Sequence, residues 1–258
     1  MTDSFYVRVD DDRFESTLHT IGPWSNEAQH AGPPSALIGR AVEAVDPSFE
    51  GQVARITFDI LGPVPVAPVT VSATVIRPGR SVQLVEATLR TDEQEVMHAR
   101  AWRIRTADLD LETPVVEEAP PAGPDDGDRV PLDQSFPGYG SAMEWVYVAG
   151  SFFELGPATC WFRMRYPLID GEEPSPLTRV LIAADSGNGI STSLDFTKWV
   201  FINPDLSVYL HRMPVGEWVC LAARTDPKNT GVGVAASTIY DRTGAIGRGL
   251  QSLFIGPR

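Results

Sequence analysis

Apolar residues recur along this chain with two periods. Leu37, Ile38, Ala41, Val42 and Val45 fall at helical spacing, which predicts an amphipathic helix over residues 34–45. Pro33 and Pro34 suit its first turn, and Asp46-Pro47 ends it. Leu177, Val180, Leu181 and Ala184 share one face of a second predicted helix over 176–185, with Gly187 and Gly189 supplying the stop. The other apolar runs are rich in β-branched residues. They predict strands at 53–61, 69–77, 82–90 and 96–105, and again at 206–212, 218–224, 231–240 and 245–255. Turn residues punctuate them at Pro78-Gly79, Thr91-Asp92-Glu93, Asp226-Pro227-Lys228-Asn229 and Arg242-Thr243-Gly244. Trp161, Arg163 and Arg165 alternate with Phe162, Met164 and Tyr166, the pattern of a strand with one covered face.

The chain thus reads twice as a strand region, one helix and several strands, an α+β organisation in two repeats. Between the repeats, residues 106–135 gather Asp108, Asp110, Glu112, Glu117, Glu118, Asp125, Asp126 and Asp128 with Pro114, Pro120, Pro121 and Pro124. Prolines remove backbone donors and the acids repel one another, so this stretch is expected to be an extended linker. The expected domains are 1–105 and 136–258, about the lower end of domain size. Residues 55–61 correspond in spacing to 206–212, each run closely followed by a proline.

Composition narrows the function classes. A chain of 258 residues with 43% hydrophobic and 21% charged residues is an ordinary globular protein. Its formal net charge is −13, and only Lys198 and Lys228 are lysines. With no Lys/Arg run, it repels nucleic-acid phosphates and anionic membranes, so neither is an expected partner. Two cysteines, Cys160 and Cys220, make neither a disulfide framework nor a zinc cluster. The start of the chain lacks the basic and apolar segments of a signal peptide, and no apolar run approaches a membrane span, so a cytoplasmic location is expected. No P-loop or Gly-x-Ser-x-Gly elbow occurs, and His19, His30, His98 and His211 show no metal-ligand spacing, so no metal or cofactor is expected. Gly231-x-Gly233-x-x-Ala236 matches a dinucleotide fingerprint only formally, because its surroundings favour a strand where that motif needs a helix.

Three stretches carry a resemblance. They are Leu181-Ile182-Ala183-Ala184-Asp185, then Asp205-Leu206-Ser207-Val208-Tyr209-Leu210-His211-Arg212 with Pro214 and Glu217-Trp218, and Gly249-Leu250-Gln251-Ser252. With them, the chain resembles the acyl-CoA thioesterase II family and its double hotdog fold, two tandem repeats each with a central helix wrapped by an antiparallel sheet. The match is specific in the second half. In the first, His30-Ala31-Gly32 only approximates the His-Gly-Gly that often precedes a hotdog helix.

The resemblance implies hydrolysis of an acyl-CoA thioester by a water held between an Asp, a Thr or Ser, and a Gln. By position these are Asp185, Asn203 and Gln251, with Asn203 departing from the family's hydroxyl. An amide still offers a donor and an acceptor to a water. Asp185 lies on the apolar face and at the C-terminal end of its helix, two settings that disfavour a negative charge and suit a general base. Taken singly, each residue has a plainer reading. Asp185 leads into the turn at 186–189, Asn203-Pro204 is a common turn pair, and strand glutamines are common on surfaces. Glu43 takes the place of Asp185 in the first half, Gln52 roughly that of Asn203, and the last-strand position falls near Trp102 or Arg103, so that half is expected to have lost the site. Arg77, Arg80 and Arg212 are candidates for contacting coenzyme A phosphates. Trp145, Tyr147, Phe152, Phe153, Trp161 and Phe162 line an acyl tunnel or pack the core. Two other readings stay open: a non-catalytic acyl-thioester binding protein, and a hotdog hydratase or dehydratase using His30. The resemblance also implies a homodimer.

Overall fold

A computed structural model describes residues 3–112, 118–130 and 137–258. In chain order its elements are β1 (Tyr6–Arg8), β2 (Arg13–Ser16), α1 (Gly32–Ala44), β3 (Gly51–Ile60), β4 (Pro68–Arg77), β5 (Val82–Arg90), β6 (Glu95–Arg105) and β7 (Asp128–Arg129). There follow α2 (Tyr139–Ala142), β8 (Met143–Ala149), β9 (Ala158–Met164), α3 (Pro176–Ala184), α4 (Gly187–Ile190), β10 (Trp199–Ile202), β11 (Asp205–Leu210), β12 (Val219–Pro227), β13 (Val232–Asp241) and β14 (Gly244–Pro257). The eight strands and two helices expected from periodicity are present, with ends shifted by a few residues. Residues 231–236 lie in and just before β13, so the dinucleotide reading has no helix to stand on.

Among the described residues the strands form one 14-stranded sheet, ordered β1-β2-β4-β5-β6-β3-β11-β14-β13-β12-β9-β8-β7, with β10 also on β14. The order 2-4-5-6-3 in the first half repeats as 9-12-13-14-11 in the second. The halves meet where β3 pairs antiparallel with β11, Thr57 opposite Ser207 and Val208 opposite Ile56. These are the two runs whose spacing corresponds in the sequence. The sheet therefore crosses from one half to the other without an edge, and no unpaired strand is left between the repeats.

One face of each strand turns inward onto the helices. In β5 the buried positions are Gln83, Val85, Ala87 and Leu89, alternating with more exposed neighbours. α1 and α3 lie side by side beneath the sheet. A Cβ on Gly32 would collide with the Ile182 carbonyl oxygen, and one on Gly39 with the Leu181 side chain, so both glycines set the closeness of the helices. Polar contacts rim this contact, with Ser175 donating to Glu43 at 2.6 Å and Arg40 to Glu172 at 2.7 Å. Among the described residues, no helix is long and apolar enough to cross a membrane.

The acidic stretch is more than a connection. Pro114, Glu117 and residues 131–136 lie outside the described residues. Within 118–130, Glu118 accepts from the Tyr240 hydroxyl at 2.5 Å and from Arg248 at 2.8 Å, and Asp125 pairs with Arg242 at 2.8 Å. The Trp161 indole donates to the Ala122 carbonyl at 2.8 Å. This segment lies against a second apolar cluster, Val146, Trp161, Trp218, Cys220 and Tyr240. Trp161 and Phe162 are consequently both buried, although adjacent strand residues face opposite sides.

At the end of α1, Arg103 from β6 reaches under the helix. Its guanidinium donates to the carbonyls of Val42, Glu43 at 2.9 Å and Val45 at 2.8 Å, and to the Gln83 side chain at 3.2 Å. Burial lowers the Arg103 pKa, partly offset by Glu43. Burial likewise raises that of Glu43, against its hydrogen bond from Ser175 and the charges of Arg103 and Arg40. The first-half counterpart of the candidate site is thus filled by an arginine capping a helix. Arg103→Met, which keeps the stem and strips these donors, is expected to cost about 3 kcal/mol, since each hydrogen bond to a charged group contributes roughly 1.5–3 kcal/mol. Urea unfolding of the two proteins measures this, and a loss near zero would refute the capping role.

Candidate active site

The second half ends its helix differently. Ser175 caps the start of α3, accepting from the Thr178 amide at 3.1 Å, and Pro176 follows as the first helical residue. Leu177, Val180, Leu181 and Ala184 are all buried, as expected, and so is Asp185, the residue at the C-terminal cap, which is 7% exposed. β14 supplies Gln251 from its inward face, opposite Ala235 of β13. Asn203 occupies the break between β10 and β11, both of which pair with β14 on the same side. Pro204 has no N–H to continue the ladder there.

The three expected residues are brought together. Asn203 Nδ2 donates to Asp185 Oδ1 at 2.8 Å and to the Asp205 carbonyl at 3.1 Å. Gln251 Nε2 donates to the same Oδ1 at 3.1 Å and to the Asp185 carbonyl at 3.1 Å. Gln251 Oε1 accepts the Asn188 amide at 3.0 Å. The nitrogen and the oxygen of the glutamine amide are thereby both bonded to protein, and Asp185 Oδ1 holds two donors. Among the described residues, Asp185 Oδ2 and Asn203 Oδ1 accept no hydrogen bond from the protein.

Asp185 Oδ2 faces His30, whose Nδ1 lies 3.4 Å away. This approach is not an ion pair. His30 Nδ1 accepts the Gly32 amide at 3.0 Å, and burial lowers the His30 pKa more than Asp185 raises it, both of which favour the neutral ring. It stacks on Tyr139 with 3.7 Å between centroids and 6° between planes. Tyr139 is fixed in turn by donating to the Ile182 carbonyl at 2.8 Å, with Ser186 Oγ also 2.8 Å away. The sequence pointed to His30 only as a histidine near a helix start. It gave no signal for Tyr139, whose contacts lie more than forty residues away along the chain.

Asp185, Asn203, His30 and Tyr139 open onto a cavity of about 890 Å³. Its wall is mostly apolar, with Trp24, Trp145, Phe152, Phe196, Phe201 and Val64 among its residues. Of the aromatics expected to line an acyl tunnel or pack the core, Trp145 and Phe152 line this cavity, Tyr147, Trp161 and Phe162 are buried, and Phe153 is exposed. Among the described residues no lysine or arginine lines the cavity, and Asp185 is its one carboxylate. At the rim, Arg258 stacks over Phe196 at 4.6 Å and donates to its carbonyl at 2.7 Å.

The three arginines expected at phosphates do not line this cavity. Arg77 stacks over Trp102 and donates to the Val82 carbonyl, and Arg80 accepts from Arg105 through its carbonyl. Arg212 grips the buried Asp241 at 2.5 and 2.8 Å, and donates to Thr243 and Gly244. Burial works against the Asp241 carboxylate, but Arg212 and Thr243 hold its pKa well below the usual range. Among the described residues, no group of three or more His, Cys, Asp or Glu is arranged to hold a metal ion.

Comparison with known proteins adds the family. A model of the acyl-CoA thioesterase N-terminal domain matches residues 20–104, and one of the acyl-CoA thioesterase C-terminal domain matches 116–255. Similar solved structures include a protein from Thermobifida fusca assigned as a thioesterase II, at 17% identity and a TM-score of 0.77 over 99% of this chain and 98% of that one. A conserved hotdog-fold protein of unknown function from Alicyclobacillus acidocaldarius is 17% identical, with a TM-score of 0.76 over 98% and 97%. Acyl-CoA thioesterase II TesB2 from Mycobacterium marinum is 15% identical, with a TM-score of 0.65 over 98% and 95%. These likenesses establish the double hotdog fold. No curated protein matches the chain in sequence.

The neutral state of His30 has a consequence for stability. Burial lowers its pKa in the folded protein, and the unfolded chain takes up its proton first as pH falls. The contribution is fully present above the unfolded value of about 6.5 and is lost as pH falls through the depressed folded value. His30→Asn is therefore expected to lose less stability than the parent between pH 7.5 and 5.5. Thermal melts at the two pH values test this, and parallel losses would count against a neutral buried His30.

Proposed function

Since the chain belongs to the acyl-CoA thioesterase family, whose two domain models match its two halves, we propose that it hydrolyses an acyl-CoA thioester to the free acid and coenzyme A, with Asp185 as general base. The observation that carries this reading is the division of labour within one carboxylate of the cavity wall. Oδ1 is held by Asn203 and Gln251, which leaves Oδ2, beside His30, without a protein donor. A water there can give one hydrogen to Asp185 Oδ2 and the other to Asn203 Oδ1, turning a lone pair toward the substrate. In this reading Asn203 replaces the family's hydroxyl as an acceptor, and Gln251 orients the carboxylate instead of touching the water. That differs from the expectation that Gln251 itself holds the water.

The reaction needs one proton transfer in each direction. Asp185 Oδ2 takes the proton as the water oxygen bonds to the thioester carbon. The tetrahedral intermediate then collapses, the C–S bond breaks, and the departing thiolate receives the proton. The mostly apolar wall suits an acyl chain and excludes bulk water from it. With no cation in that wall among the described residues, the phosphates of coenzyme A stay outside the cavity.

A second reading, a hotdog hydratase, is favoured by one observation, the His30–Asp185 approach at 3.4 Å. Two assays separate the readings. Thiol release from acyl-CoAs of graded length reports hydrolysis, and loss of an enoyl-CoA's conjugated absorbance without thiol release reports hydration. Thiol release is the expected result. Asp185→Asn is expected to lower it about 10³-fold, within the usual range for a general base, with the fold retained by circular dichroism. Normal turnover in that variant would exclude Asp185 as the base, and tight acyl-CoA binding without thiol release by the parent would mark a binding protein.

A further inference from the structure

We propose that His30 Nε2–H donates the hydrogen bond that stabilises charge on the thioester carbonyl oxygen, so that the first half supplies a catalytic residue to the second half's carboxylate. This inference rests on the thioesterase reading and assigns the electrophilic role that reading leaves open.

Four observations support it. First, Nδ1 accepts the Gly32 amide, so the proton of the neutral ring sits on Nε2. Second, Nε2 has no hydrogen-bond partner among the described residues and is not among the fully enclosed polar atoms, while His30 lines the cavity; this N–H therefore faces open space. Third, the ring cannot easily turn. Tyr139 lies flat against it, held by Ile182 and Ser186, and the Gly32 amide fixes its in-plane rotation. Fourth, among the described residues the one charged side chain of the cavity wall is Asp185, and burial favours the neutral imidazole beside it. A neutral imidazole can donate to a developing oxyanion without giving up its proton.

The placement fits the chemistry. As a water between Asp185 Oδ2 and Asn203 Oδ1 attacks, the C=O π pair moves onto oxygen. A preorganised donor next to that oxygen is worth most in a site closed to bulk water. When the intermediate collapses, the pair returns to the carbonyl bond and the sulfur leaves. Nε2–H keeps its proton throughout, so the proton balance of the Asp185 mechanism is unchanged.

Two substitutions separate this role from a structural one. His30→Asn puts an amide oxygen near Nδ1, where it can still accept from Gly32, but removes the distal N–H. His30→Gln puts an amide N–H near Nε2 and removes the proximal acceptor. The proposal expects kcat for acyl-CoA hydrolysis to fall about 10²-fold in His30→Asn with little change in KM, the usual effect of losing one oxyanion donor, and His30→Gln to stay well above it. The reverse order, or equal rates, would show that the ring serves only to hold Gly32 and would overturn the proposal. If the parent protein released no thiol from any acyl-CoA, the thioesterase reading would fall, and this inference with it. An active parent with an equally active His30→Asn would overturn this inference alone.

Discussion

A helix buried on nearly every side has nowhere to find water for its last carbonyls. An unpaired buried carbonyl costs about as much as a lost hydrogen bond, so a donor must be brought in from outside the helix. Both central helices here meet that requirement with a side chain from the last strand of their own half. β6 sends Arg103 under the end of α1, and β14 sends Gln251 under the end of α3. The choice of donor decides what the helix end can become. A guanidinium has only donors, and Arg103 spends them on three carbonyls and one amide. A glutamine amide can satisfy the Asp185 carbonyl, steady its carboxylate and accept the Asn188 amide together. The candidate site is thus a helix end whose structural need was met by a group small enough to leave one carboxylate oxygen uncovered.

The meeting of the halves supplies the rest. β3 and β11 pair across the centre, and α1 packs on α3 through Gly32 and Gly39. The glycine that lets the helices touch also donates its amide to His30, so helix packing and the orientation of the imidazole are one constraint. A bulkier residue there would push the helices apart and carry His30 away from Asp185.

Much of this was legible in the sequence. Both helices show as apolar positions three and four apart, and the strands as β-branched runs between turns. The pairing of β3 with β11 was not, although both runs were marked as corresponding, because hydrogen bonds between segments some 150 residues apart leave no local pattern. The packing of residues 118–130 was also hidden, since acids and prolines read as a solvated spacer when Arg242, Arg248 and Tyr240 are far away in sequence. In the site, Asp185, Asn203 and Gln251 were found through resemblance, and their geometry required the fold. Tyr139 had no signal, and charge marked Arg77, Arg80 and Arg212 without saying which protein groups each would meet.

Arg103 and Gln251 also bear on symmetry. Two identical hotdog chains forming a dimer must carry the same residue at each copy of a capping position, so any change to one cap is imposed on the other. Tandem linkage removes that coupling. One cap can then be chosen wholly for rigidity and the other for the chemistry it leaves exposed. The cost is stoichiometry: an assembly of two equivalent units could hold two such clefts, whereas in this chain Arg103 fills the matching place at the end of α1.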